Sequence, residues 1–118
     1  MSTIELEDIS RDELRSLLKR WVLGDVKTGD LVDFAWDAVN SSEVEEPDPE
    51  EAIYDVYLVL DRLSVTFEHP FYRQDAFAFL RFLTISEIDR AAAKNQLDQY
   101  LEGIDFEERA RKETMPYD

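Results

Sequence analysis

Between Ser10 and Gly24 the sequence carries a full set of helix punctuation, and similar signals recur along the chain. Ser10 and Glu13 stand three residues apart as a capping box, and Ile9 and Leu14 are spaced as a hydrophobic staple. Leu14, Leu17, Leu18 and Trp21 recur at helical spacing. Asp12 and Glu13 open the segment and Lys19 and Arg20 close it, which complements a helix dipole. Gly24 supplies the left-handed stop after Leu23. A chain punctuated in this way, with only three Gly and four Pro in 118 residues, favours a few long helices over many short strands.

Thr28 is the expected cap of a second helix reaching about Val39. Its apolar positions form two stripes, one of Leu31, Phe34, Ala35 and Ala38, the other of Val32, Trp36 and Val39. Together they cover more than half the circumference, so this helix is expected to lie centrally. Asp30, Asp33 and Asp37 share the remaining face at three- and four-residue spacing. Ser41–Asp48 reads as a linker. Asp48, Pro49, Glu50 and Glu51 then give cap, first-turn proline and first-turn acids for a third helix. Its broad apolar face runs from Ala52 and Ile53 to Leu63, with Tyr54 and Leu58 one turn apart on the other side.

From Ser64 to Tyr72 the period is lost, and Pro70 disfavours helix at His69. Leu63, Val65 and Phe67 alternate, as do Ile4 and Leu6, but two strands alone are marginal in water. A fourth helix is expected over about Arg73–Leu83. Thr84 and Glu87 are spaced as a second capping box, opening a fifth helix that ends at Gly103. Asp105 and Glu108 mark one last short helix. The fold expected is all-α: one acidic domain over residues 1–118, a compact bundle of about five helices with an extended N-terminus and a short C-terminal helix. Its expected core includes Trp21, Phe34, Ile53, Leu60 and Leu80.

Chemistry is sparse. No cysteine occurs, which removes disulfides, thiol catalysis and cysteine-ligated metal sites. The one histidine, His69, forms no metal pair, and its nearness in sequence to Ser64 and Thr66 establishes no nucleophile–base geometry. Gly24–Gly29 contains a Lys-Thr pair without the glycine spacing of a phosphate loop. The acids of Glu43–Glu51 lack the glycine turn of a calcium loop, and two prolines stiffen them. No catalytic, cofactor-binding or metal-binding residues are therefore assigned, no cofactor is expected, and the chain is expected not to be an enzyme.

Charge separates the partner classes. Twenty-eight acids against thirteen bases give a formal net charge of −15, the sign that repels nucleic acid and anionic membrane surfaces. Met1–Asp8 is acidic where a secretory leader is basic, and no apolar run approaches the ~20 residues of a membrane span. The cytoplasm is the expected location. From Leu31 to Asp61 no Lys or Arg occurs in thirty-one residues.

The function expected from this pattern is protein binding, with an acidic surface docking a basic partner. Asp30, Asp33, Asp37, Glu43, Glu45 and Glu46 would form the patch, and Tyr54 and Leu58 the anchor. In size, acidity and helical content the chain resembles bacterial immunity proteins and antitoxins, which plug the active site of a basic toxin; no motif matches residue by residue. The alternative is a structural or adaptor subunit that self-associates through apolar and aromatic surface.

Overall fold

Ser10 does cap the first helix, its Oγ accepting from the Glu13 amide at 3.0 Å. The structure, a computed structural model, describes residues 9–40, 47–48, 51, 53–65 and 71–112. In these the elements are α1 (Arg11–Val22), α2 (Thr28–Val39), α3 (Ile53–Ser64), a 3-10 turn (Arg73–Asp75), α4 (Ala76–Ile85), α5 (Arg90–Glu102) and α6 (Phe106–Lys112). No strand occurs among the described residues, and the all-α bundle holds. The suggested strand pair is excluded at Leu63, which is helical; Ile4, Leu6 and Phe67 lie outside the described residues.

Helix ends differ from expectation where a side chain found a better partner. Gly24 stops α1 with φ 87°, the region a side chain disfavours. Thr28 does not cap α2. It is the first residue of the helix, the cap is Lys27, and the buried Thr28 Oγ1 instead accepts from Trp21 Nε1 at 2.9 Å. An indole N–H sealed in a core needs an acceptor, and that need overrides the capping preference. Thr84 does not open α5 either. It lies within α4, where its hydroxyl donates to the Leu80 carbonyl at 3.0 Å. Asp89 caps α5, accepting from the Ala92 amide at 3.1 Å.

α3, rather than α2, occupies the centre. It packs against α1, α2 and α4, while α2 packs chiefly on α3 and α4 chiefly on α5 and α1. Buried residues surround most of α3, including Asp55, Val56, Leu58, Val59, Leu60 and Leu63. Leu14, Leu18, Trp21, Leu31, Phe79 and Leu83 complete the sealed core. Trp21 and Leu60 are buried as expected. Phe34, Ile53 and Leu80 are only partly buried against the core. Ile53 is the first residue of α3. Leu80 lies at the margin of the buried α4 face, which runs through Ala76, Phe79 and Leu83. Phe34 lines an open cleft between α1 and α2 together with Ile9, Leu17 and Arg20.

Two buried carboxylates tie the helices together. Asp55 of α3 is fully enclosed and accepts from Arg11 Nη2 of α1 at 2.6 Å and from Arg90 Nε of α5 at 2.9 Å. Arg11 also donates through Nη1 to the Leu83 carbonyl at 2.7 Å and to Ser86 Oγ at 2.6 Å. One guanidinium thus neutralises a core acid and satisfies a carbonyl at the C-terminal end of α4, where the dipole favours a cation. Asp75 is also fully enclosed, between Arg109 and the Tyr72 amide. Buried acids require this degree of pairing.

Candidate functional site: the outer face of α2

Because α2 buries Leu31, Val32, Ala35 and Ala38 against its neighbours, its opposite face is left to solvent. Asp30, Asp33 and Asp37 all project there and are exposed. Trp36 joins them, 45% exposed, one helical turn from Asp33 and adjacent in sequence to Asp37. The stripe that placed Trp36 with Val32 and Val39 on a packed face is therefore corrected. Among the described residues α2 packs chiefly on α3, which leaves this side of the helix open. Asn40 steadies the end of this face, its side chain donating to the Trp36 carbonyl at 3.1 Å.

The other expected members fare differently. Leu58 is 6% exposed and belongs to the core, so it is no surface anchor; the central position of α3 encloses it. Tyr54 is half-buried with its ring 6.2 Å from that of Tyr57. Glu43, Glu45 and Glu46 lie outside the described residues, as do Thr66 and His69. What the fold brings onto one face is the aspartate triplet and an indole that the sequence pattern assigned to packing.

Elsewhere five of the bases are turned toward acids. Arg11 and Arg90 meet Asp55, Arg109 meets Asp75, Lys94 meets Asp98 at 3.1 Å, and Arg15 meets Glu87 at 2.7 Å. None of these five cations faces the α2 triplet through an ion pair, and α2 itself contains neither Lys nor Arg. The negative field of this face is therefore undiluted by its own helix, while much of the positive charge is spent inside or between α1, α3, α4, α5 and α6.

Exposed like charges repel across water, and added salt screens them over ~3 Å at 1 M. Buried pairs such as Asp55–Arg11 are screened far less. The melting temperature is therefore expected to rise as sodium chloride is added, as followed by circular dichroism. A flat or falling curve would mean that the exposed acids are locally compensated.

Neither Asp55 nor Asp75 stands out in the sequence as a buried acid. The available signal was positional, since Asp55 lies among Ile53, Val56 and Val59 on a helix buried almost all round. Around Asp75 the environment also alters its neighbours. Burial pushes the Tyr100 hydroxyl up to about 12 from its ordinary 10.0, aided by its hydrogen bond to Asp75 and that acid's charge. For Arg109, burial works against the charged form, but the hydrogen bond and attraction to Asp75 outweigh it and the pKa is raised. The two shifts favour the neutral phenol of Tyr100 and the charged guanidinium of Arg109 beside Asp75. Among the described residues, no group of three or more His, Cys, Asp or Glu side chains could hold a metal ion, and no helix is long and apolar enough to cross a membrane.

No family model, curated protein or solved structure matches this chain.

Proposed function

We propose that the chain is a protein-binding module, and that the outer face of α2 docks a basic partner protein. The observation that carries this is the exposed Trp36 beside Asp30, Asp33 and Asp37 on a helix that contains neither Lys nor Arg. Aromatic residues at a surface supply binding energy out of proportion to their number, and charge of one sign steers a partner of the other. A cation over an indole adds attraction of its own. The triplet therefore governs approach, and the indole governs residence. An immunity or antitoxin protein is the finer form of this reading, with the basic active site of a toxin as the partner.

Wild-type protein and the variant with Asp30→Asn, Asp33→Asn and Asp37→Asn serve as baits in extracts of the source cell at low salt. A basic protein is expected on the wild-type bait, released by salt and lost from the triple variant. With that partner purified, the amide substitutions should slow association by about ten-fold at low salt and leave the fold intact. Trp36→Ala should mainly speed dissociation. Equal association rates for wild type and the triple variant would reduce this face to solvated surface. A salt-tolerant self-association in place of a basic partner would favour the adaptor reading.

A further inference from the structure

α6 is seven residues long, Phe106–Lys112, and helices below ~12–15 residues are marginal in water without tertiary support. Its N-terminus is well formed, with Asp105 Oδ1 accepting from the Glu108 amide at 2.9 Å and Glu107 and Glu108 in the first turn. Capping alone does not hold so short a helix. Two side chains three residues apart, and hence on one face, fasten it to the bundle.

Phe106 packs edge-on against the buried Phe71, with ring centroids 5.3 Å apart. It also walls a cleft of about 330 Å³ that Val65, Phe71 and Leu101 share. Arg109 reaches the enclosed Asp75 with both terminal nitrogens, at 2.7 and 3.4 Å, and its guanidinium lies 4.2 Å from the centre of the Tyr72 ring. An aromatic floor thus receives the ring, and a buried carboxylate beside a second aromatic face receives the cation. Asp75 keeps two further donors that do not come from α6, the Tyr72 amide at 2.7 Å and the Tyr100 hydroxyl at 2.5 Å. Two of these four hydrogen bonds to Asp75 therefore do not depend on α6. Gly103, Ile104 and Asp105 form the connection from α5.

We infer that α6 is an exchangeable strap: it detaches from the bundle as a unit, and the seat it leaves accepts the same aromatic and arginine pair, three residues apart on a helix, from another chain. Local opening of a peripheral segment needs less free energy than global unfolding. A tethered occupant has a millimolar effective concentration, so α6 normally holds its own seat and an outside helix enters only in competition with it. The strap is independent of the α2 face, and either can fail without the other.

Two measurements on the full chain test this. Native-state hydrogen exchange should show the α6 amides opening roughly 100-fold more readily than those of α3, with Arg109→Ala speeding α6 further and leaving α3 unchanged. If α6 exchanges together with α3, or if Arg109→Ala speeds both equally, α6 is part of the cooperative core and the inference fails. The second probe is a labelled peptide of residues 104–112, titrated into wild type and into the variant with Phe106→Ala and Arg109→Ala, whose own strap is unpinned. Saturable binding is expected, about ten-fold or more tighter to the variant because the tethered competitor is gone. Absent binding, or equal binding to both proteins, overturns exchange in trans.

Discussion

Replacing Asp55 by Asn is expected to cost about 3–5 kcal/mol, because it removes the enclosed acid that two inward-facing guanidinium groups share. Asp55 is fully enclosed, and the side chains of Arg11 and Arg90 are only 15% and 32% exposed. Asparagine preserves the volume but presents no charge, and one of its two head atoms donates where an acceptor is needed. Arg11 keeps Glu87 at 3.4 Å, but the enclosed charge between α1, α3 and α5 is gone and both cations are left facing a neutral amide. Domains of this size are stable by only ~5–15 kcal/mol in total, so the variant should unfold at a much lower urea concentration. A second variant separates the cost of a broken pair from the worth of the pair. Replacing Arg11, Asp55 and Arg90 together by Met, Leu and Met leaves no charge behind and should recover much of the loss, since buried ion pairs contribute little against apolar residues of similar volume. Urea titration of both variants is the check. A loss below ~1 kcal/mol in Asp55→Asn would show that the site is hydrated and the three-helix clamp is not formed in solution.

That clamp marks the boundary of what the sequence made legible. Helix starts and stops depend on neighbours in the chain, so Ser10, Gly24 and the end of α2 at Val39 could be read directly. Thr28 misled because the local rule competed with a partner set by tertiary packing, the Trp21 indole, and Thr84 because α4 runs on through it, its hydroxyl bonding back one turn to the Leu80 carbonyl. The apolar arc of α2 predicted a central helix. The structure puts that role on α3, whose arc is interrupted by an acid that proves to be buried. An aspartate inside an apolar stretch has the same letter whether it faces water or two arginines distant in sequence. The aspartate triplet was legible for the opposite reason, since exposure leaves it governed by helical spacing alone. Trp36 was not, because an indole at the margin of an apolar arc is packed only if a neighbour covers that side.

Asp75→Asn should lower stability by about 3 kcal/mol, and its spectroscopic signature separates it from a general loss of packing. In the wild type the Tyr100 hydroxyl donates to Asp75, and burial together with that bond and that charge pushes its pKa up to about 12. The folded value is raised above the unfolded one, so the stabilisation linked to Tyr100 is fully present below pH 10.0 and is lost as pH rises through about 12. Phenolate absorbance should accordingly show one of the tyrosines ionising late, within an unfolding transition that begins above pH ~10. With Asp75 neutralised, the hydrogen bond weakens and the repelling charge is gone, and Tyr100 should ionise nearer 10.0. Tyr100→Phe removes the late component altogether and keeps the Asp75–Arg109 pair, so it should cost far less than Asp75→Asn. Arg109→Ala removes the cation that favours the phenolate and should move Tyr100 the other way, still higher. The opposite shifts in Asp75→Asn and Arg109→Ala are the decisive pattern. A Tyr100 that titrates normally in the wild type would mean that its hydroxyl does not donate to Asp75 in solution.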